Sequence, residues 1–420
     1  MTAVGDISGT VIDRRAVISV LRRLRTAQGQ ADPFPLYAEL QSMGDVVPAP
    51  WGGYFITGYD ACDQVLRGRN WIVPDFAWQE RQRDTERWHA PATQEMSRTL
   101  SRLNAPAHTC QRRSLGNPFD RTTVAAMEPE VEGHVTRLLD TLEDRLLADG
   151  VADFVGTVSE QLPVVTIGRW LDIPATDHAR ILDFTHRQVH AQELLPTKSE
   201  LAISEEATAD MRAFFTDLVA GRRARPGNDV LSGWIRHWDE QLPGDREAAD
   251  RMIYQLVMFL TIASLETTAT LLSVAVWLLL DEPARWEWLR RHPEHVDDAI
   301  EEALRYDPPI HLNSRVAADD TVLAGVPIAK DTMVHVMYGA ANHDPRRNAD
   351  PHAYDILRKG THLTFGGGAH YCLGAALARL EARTLLTALL KRFPALRLAS
   401  APIYAPRMVF RRVTSMKVTA

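Results

Sequence analysis

The residues best suited to chemistry lie in one stretch, HLTFGGGAHYCLGAALARLEARTLL, where Cys372 follows a glycine-rich turn and precedes a strong helical pattern. Glycines at 366, 367, 368 and 374 let the backbone approach a flat ligand closely and take conformations barred to bulkier residues. A thiolate at the start of the following helix gains N–H and dipole interactions. Such a sulfur can act as a strong anionic ligand to haem iron, pushing electron density toward bound oxygen and favouring O–O cleavage. A cysteine taken singly is more often a small buried hydrophobe; the glycines and the helix start argue for ligation here. Two other pairs stand out. In ASLETT, Glu266 and Thr267 are an acid and an alcohol side by side. Neighbours on a helix point in different directions, so their joint action needs helix distortion or an intervening water. In EEALRYDPP, Glu302 and Arg305 lie one turn apart, a spacing that permits an internal ion pair.

These groups need elements to position them. The segment 252–280, MIYQLVMFLTIASLETTATLLSVAVWLLL, is long and apolar enough to span a bilayer. Gln255 and Glu266 would then sit in hydrocarbon, and Asp281 and Glu282 follow directly, so a helix buried through the centre of the protein is the better reading. From 107 to 280 the pattern is mainly helical, broken near LADGVADF, LDIPATD, ELLPTKSE and ARPGND. The helix in HVDDAIEEALRY ends before Asp307, because Pro308 and Pro309 cannot continue it. PFPLYAELQSMG reads as a short helix, VVPAPWGGYFITG as two short strands, and YDACDQVLRG as a helix stopped by Gly68. The segment 70–97 is loop-rich with recurrent tryptophans, SRVAADDTVLAGVPIAKDTMVHV reads as a small sheet, and a last helix runs over 373–391 with strands in the tail. The expected fold class is mainly α with small β-sheets, as a single domain over 1–420 with strand-rich parts near 44–58 and 310–338.

The whole-chain figures fit this reading. With 420 residues, 45% hydrophobic and 24% charged, there is material for a sizeable core and no sign of disorder. A net charge of -7 gives no general attraction to nucleic acid. Three widely separated cysteines, Cys62, Cys110 and Cys372, match neither a disulfide framework nor a zinc site and suit a reducing, cytoplasmic setting. The opening MTAVGDISGTVIDRRAV lacks the apolar run of a secretory signal or membrane anchor.

FGGGAHYCLG matches every fixed position of the cysteine-ligand loop of the cytochromes P450 and resembles the soluble bacterial type. That resemblance implies the cytochrome P450 fold and a haem b (iron protoporphyrin IX) cofactor with Cys372 as its axial ligand. Phe365 would pack beside the sulfur, His370 would contact a haem propionate, and His362 would make a second such contact. APAHTCQRRSLGNPF resembles the family's helix carrying His108 and Arg112 toward a propionate, and SRVAAD resembles the strand that brings Arg315 to one. Glu302 and Arg305 resemble the family's Glu-x-x-Arg pair, which supports folding and haem retention together with an arginine after Pro345. Arg346 and Arg347 are the candidates for that partner, and Asn348 stands where an aromatic residue is usual. The resemblance also implies that Thr267 holds water at the oxygen site and that Glu266 relays protons inward through a locally distorted helix. Ser264 departs from the family's usual glycine.

Position within the family pattern, joined to apolar character, nominates the substrate wall: Trp71, Trp78 and Trp88; Leu260, Ala263 and Leu265; Ile310, Leu312 and Asn313; Met408 and Phe410. No dinucleotide fingerprint is present, so a separate ferredoxin and ferredoxin reductase are expected to deliver electrons. Arg112, Arg113, Lys359 and Arg379 are candidates to meet an acidic carrier. The reading is a haem-thiolate monooxygenase that uses dioxygen on a small organic substrate, free or carrier-bound, in bacterial secondary metabolism. Oxidative coupling or nitration is a second reading, and a noncatalytic haem-binding gas sensor a third.

Overall fold

The computed structural model describes residues 12–82, 86–116 and 118–420, so most of the opening segment considered above for a leader lies outside the described residues. Helices dominate, with small sheets at the periphery. The central helix, Arg246–Leu280, has 35 residues and at 1.5 Å per residue runs about 50 Å through the molecule. Asp245 caps its start by accepting from the Ala248 amide at 3.0 Å. Its apolar residues are buried nearly all round, and 78% of its most apolar window is packed inside the protein, which accounts for the bilayer-like sequence.

Against it pack Glu128–Asp149, Gln161–Leu171, His178–Gln188, Lys198–Ala224, Val296–Tyr306 and Ala375–Arg392, directly or through one another. The sequence breaks fall where the backbone needs them: Gly150 (φ 72°) and Asp172 (φ 52°) end helices in the left-handed conformation. Thr197 opens the helix Lys198–Ala224 with a capping box to Glu200. Two regions hold more helix than the sequence suggested. Arg14–Leu24 buries Val17, Val20, Leu21 and Leu24 as one stripe, and the tryptophan-rich segment folds into the short helices Phe76–Glu80, Glu86–His89 and Pro91–Met96.

The main sheet contains β1 (Val46–Pro48), β2 (Tyr54–Ile56), β3 (Trp71–Ile72), β4 (Leu312–Ala317) and β5 (Met333–Met337), in the order β1-β2-β5-β4-β3. β2 and β5 are parallel and the other pairs antiparallel, with Arg315 opposite Val334. A second junction matters for the site. The chain after Pro309 meets the C-terminal segment through a bridge between Ile310 and Phe410 and a bond from the His311 amide to the Val409 carbonyl (2.8 Å). Beneath it Arg411 and Asp307, both buried, pair at 3.1 Å.

Candidate active site

The cysteine loop is shaped by its glycines. Gly366 and Gly368 have φ of 70° and 64°, and a Cβ on Gly368 would come 2.7 Å from the Leu66 carbonyl oxygen, so the loop can lie against the helix Tyr59–Arg67 only with glycine there. The Cys372 amide donates to the Phe365 carbonyl at 2.9 Å and closes the loop. Cys372 then opens onto a cavity of about 280 Å³. Burial raises the pKa of the free thiol, while the amides of Gly374 and Ala375 and the charges of Arg112 and Arg379 act to lower it. Donors already aimed at the sulfur are what a thiolate ligand requires.

Around the same cavity stand His108, Arg112, Arg315 and His370 from the expected set, together with Arg102, which no motif announced. The rings of His108 and His370 lie 4.2 Å apart, and the buried Nε2 of His108 has no partner. Burial first, then Arg315, His108, Arg112 and Arg102, hold the His370 pKa down to about 3. Arg112 is anchored to the Ala369 and Tyr371 carbonyls at 3.3 and 3.0 Å. Cations crowded together with an orphaned donor need anions between them, and two carboxylates meet that need. Among the described residues no three His, Cys, Asp or Glu side chains converge as a metal site, and Cys372 is the thiol that borders this cavity. The donor set therefore fits a haem.

Phe365 lines the cavity beneath a cap formed by Arg379, whose guanidinium is 4.4 Å from the ring centroid. His362 departs from expectation. Its Nε2 lies 3.1 Å from Glu301, which also pairs with Arg379 at 2.5 Å, and it is not part of the cavity wall. A nearby acid, not a propionate, satisfies it.

Glu302 and Arg305 form a buried two-bond pair at 2.7 and 2.8 Å. Their third member is Arg358, at 3.0 Å from Glu302, rather than Arg346 or Arg347. Arg346 is taken by Asp45 and Asp344, and Arg347 lies over Tyr59. Arg305 also donates to the carbonyls of Asn342, Pro351 and Ala353, so one guanidinium pins the meander that leads to the cysteine loop. Asn348 fills the expected aromatic position by donating to the Asn342 carbonyl at 3.0 Å.

On the opposite wall the central helix presents Ala263, Ser264, Thr267 and Thr268. Thr267 Oγ1 donates to the Ala263 carbonyl at 2.6 Å, and Ser264 Oγ to that of Leu260 at 2.5 Å. The helix stays α-helical throughout, without the expected distortion, so Glu266 points away from the cavity. It is buried against His186 Nδ1 (2.8 Å) and Arg407 (3.1 Å), and His186 reaches on to Glu160 at 3.2 Å. Arg412 joins Glu160 at 2.9 Å.

This cluster has a pH consequence. Burial disfavours the His186 imidazolium, but hydrogen bonds to Glu160 and Glu266 outweigh it and raise the pKa. Burial pushes the Glu266 carboxyl up, but His186, Arg407 and Arg412 overcome it and hold the pKa at about 2. Stability from the raised histidine is fully present below its unfolded value of roughly 6.5 and is lost as pH rises through the folded value; that from Glu266 is lost only as pH falls through about 2. The melting temperature should therefore fall as pH rises above the unfolded value of about 6.5, and His186→Gln should flatten that decline. An unchanged slope in the variant would show that His186 does not carry it.

Of the substrate wall, Trp88, Leu260, Ala263, Ile310, Leu312, Asn313 and Phe410 line the cavity; Trp71, Trp78, Leu265 and Met408 do not. Trp71 belongs to β3, paired with Ala317. Trp78 is buried behind Trp88, with its indole donating to the Asp331 carbonyl at 3.3 Å. Leu265 is on the far side of the helix from Ala263, and the Met408 amide is bound by Glu193 at 2.8 Å. Besides Arg102, sequence reasoning missed Arg87 and Glu381. Glu381 lines the cavity from the helix after Cys372, and burial pushes its carboxyl up to about 7.

Comparison with known proteins gives a consistent picture. Residues 292–398 match the family model described as Cytochrome P450. The chain is 32% identical over 396 residues to 6-deoxyerythronolide B hydroxylase of Saccharopolyspora erythraea, covering 91% of this chain and 93% of that protein. It is 32% identical over 378 residues to nocardicin C N-oxygenase of Nocardia uniformis subsp. tsuyamanensis, covering 89% and 90%. Its fold superposes with a TM-score of 0.84 on P450BioI, solved in complex with an acyl carrier protein ligated to hexadec-9Z-enoic acid; identity is 26%, over 94% of this chain and 100% of that one.

Proposed function

Because the chain belongs to the cytochrome P450 family and is an oxidoreductase, we propose that it is a haem-thiolate monooxygenase acting on a small organic substrate of bacterial secondary metabolism. The observation that carries this reading is one cavity bordered by Cys372, by unsatisfied cations and by Thr267. Haem b held there would supply the iron that binds and activates dioxygen. Cys372 would hold the iron, with the amides of Gly374 and Ala375 placed to stabilise its negative sulfur. His108, Arg112, Arg315, His370 and Arg102 would neutralise the propionates.

Thr267 has its hydroxyl proton directed to the Ala263 carbonyl, so toward the cavity its oxygen accepts and can order a water beside the oxygen site. Glu266 serves as the inner end of a proton store with His186 and Glu160; a water or side-chain rotation must connect it to Thr267. Thr267→Ala is expected to retain haem but to lower product formed per electron pair several-fold. Equal coupling in variant and wild type, measured as product against reductant consumed, would remove Thr267 from this role.

Electrons come from a separate ferredoxin and its reductase. Of the basic residues considered for docking, Arg113 and Lys359 are exposed, Lys359 beside Asp298 at 3.2 Å, whereas Arg112 is anchored to the Tyr371 carbonyl and Arg379 is paired with Glu301, so Arg113 and Lys359 are the residues to test. The relatives named as a hydroxylase and an N-oxygenase favour oxygen transfer over the coupling and sensor readings. The P450BioI complex makes carrier-bound as well as free compounds worth including in a substrate panel. Absorbance titration of the ferric protein against such a panel should give a saturable shift to the high-spin spectrum. Turnover of the compound found, under labelled dioxygen, should place label in the product; product without label would replace this reading with coupling.

A further inference from the structure

Among the described residues, the cavity holds one cation that the haem set does not explain. Arg87 comes from the short helix Glu86–His89 and lines the cavity with its neighbour Trp88 and with Gln192 and Leu194. Its Nη1 donates to the Leu194 carbonyl at 2.8 Å, and its guanidinium lies 4.4 Å from the Trp88 ring centroid. These contacts fix the group in place. Its Nε is buried and has no partner, which leaves the Nε–Nη2 edge, the one that meets a carboxylate through two parallel bonds.

No protein acid fills that edge among the described residues. The charges acting on Arg87 are Arg102, which repels it, and Glu193. Glu193 is already committed: Oε2 accepts from the amides of Met408 (2.8 Å) and Val409 (3.0 Å), and Oε1 from that of Phe410 (3.1 Å). The surrounding wall, from Trp88, Phe259, Leu260, Ile310, Leu312 and Phe410, is apolar. A fixed guanidinium with a free edge in an apolar chamber calls for an anion delivered by the ligand.

We propose that the substrate is an amphipathic carboxylic acid whose carboxylate is held by Arg87 while its apolar body lies against this wall, an inference that rests on the haem-thiolate reading above. Holding the acid at one end fixes which carbon faces Thr267, so Arg87 sets the position of oxidation as well as affinity.

The test is calorimetric titration of the haem-loaded protein with dodecanoic acid and naphthylacetic acid, each against its methyl ester. The acids should bind about ten-fold or more tightly than the esters, the scale of a charge-assisted pair. Arg87→Gln should erase that preference and leave ester binding unchanged, and Arg87→Lys should keep part of it. Equal binding of acids and esters, no binding of either acid, or an acid preference that survives Arg87→Gln would overturn the proposal. So would an Arg87→Gln protein that loses haem while keeping the preference, which would assign Arg87 to the propionates. Calorimetry reads binding without reference to iron, and the thiolate spectrum of the same samples tests the haem reading separately.

Discussion

Cys372→Ala is expected to remove thiolate ligation completely and, with it, all monooxygenase activity. The reason is local. The loop that presents Cys372 is closed by backbone bonds, from the Cys372 amide to Phe365 and from Gly366 to Leu363, which alanine preserves. The cation cluster at the propionate side is likewise untouched. The variant should therefore fold and bind haem more weakly, with the thiolate-specific absorption of the reduced carbonyl complex absent. Cys372→Ser, which keeps the size of the side chain, should behave the same way, because a hydroxyl is not ionised as a thiol is at an iron. Retention of the thiolate spectrum in either variant would remove Cys372 from the site.

The second large effect is on folding. Glu302 accepts from Arg305, from Arg358 and from the Asp355 amide, all within 3.0 Å. Glu302→Ala leaves Arg305 buried without its anion, a loss expected to cost about 3–5 kcal/mol, a large share of a typical folding free energy. The meander from Asn342 to Ala353, held by the same guanidinium, should loosen and release the cysteine loop that follows it. The expected result is a poorly soluble or haem-deficient protein with a lowered melting temperature. Arg358→Ala should show a smaller loss in the same direction, because Arg305 still neutralises Glu302. A fully haem-loaded Glu302→Ala protein of wild-type stability would show that the network is dispensable.

What could be read from the sequence depended on whether a feature was local. The cysteine loop, the helix ending before Asp307 and the body of the central helix from 252 to 280 are each specified by contiguous residues, whereas the capped start of the central helix at Arg246 lies before the apolar run. The long-range partners were not legible. Arg358, not Arg346 or Arg347, completes the ion network because the intervening chain folds back on itself, and no periodicity reports such a meander. His362 lies only three residues before Phe365, yet its ring is claimed by Glu301 on another helix.

The adjacent pair Glu266 and Thr267 shows the same limit from the other side. One residue of helix turns a side chain by about 100 degrees, so an undistorted helix separates them, with Thr267 at the cavity and Glu266 against His186. The tryptophans mark a region near the cavity, but only Trp88 lines it. Arg87 and Arg102 carry no motif at all. Their meaning comes from the absence of protein anions to pair with them among the described residues, which is a property of the folded cavity.

The most direct test of the central claim is the absorption spectrum of the purified wild-type chain titrated with haem, then reduced and exposed to carbon monoxide. One haem per chain and a thiolate-type carbonyl spectrum are the results this account predicts. Failure to take up haem, or stoichiometric uptake with a spectrum lacking thiolate ligation, would contradict it.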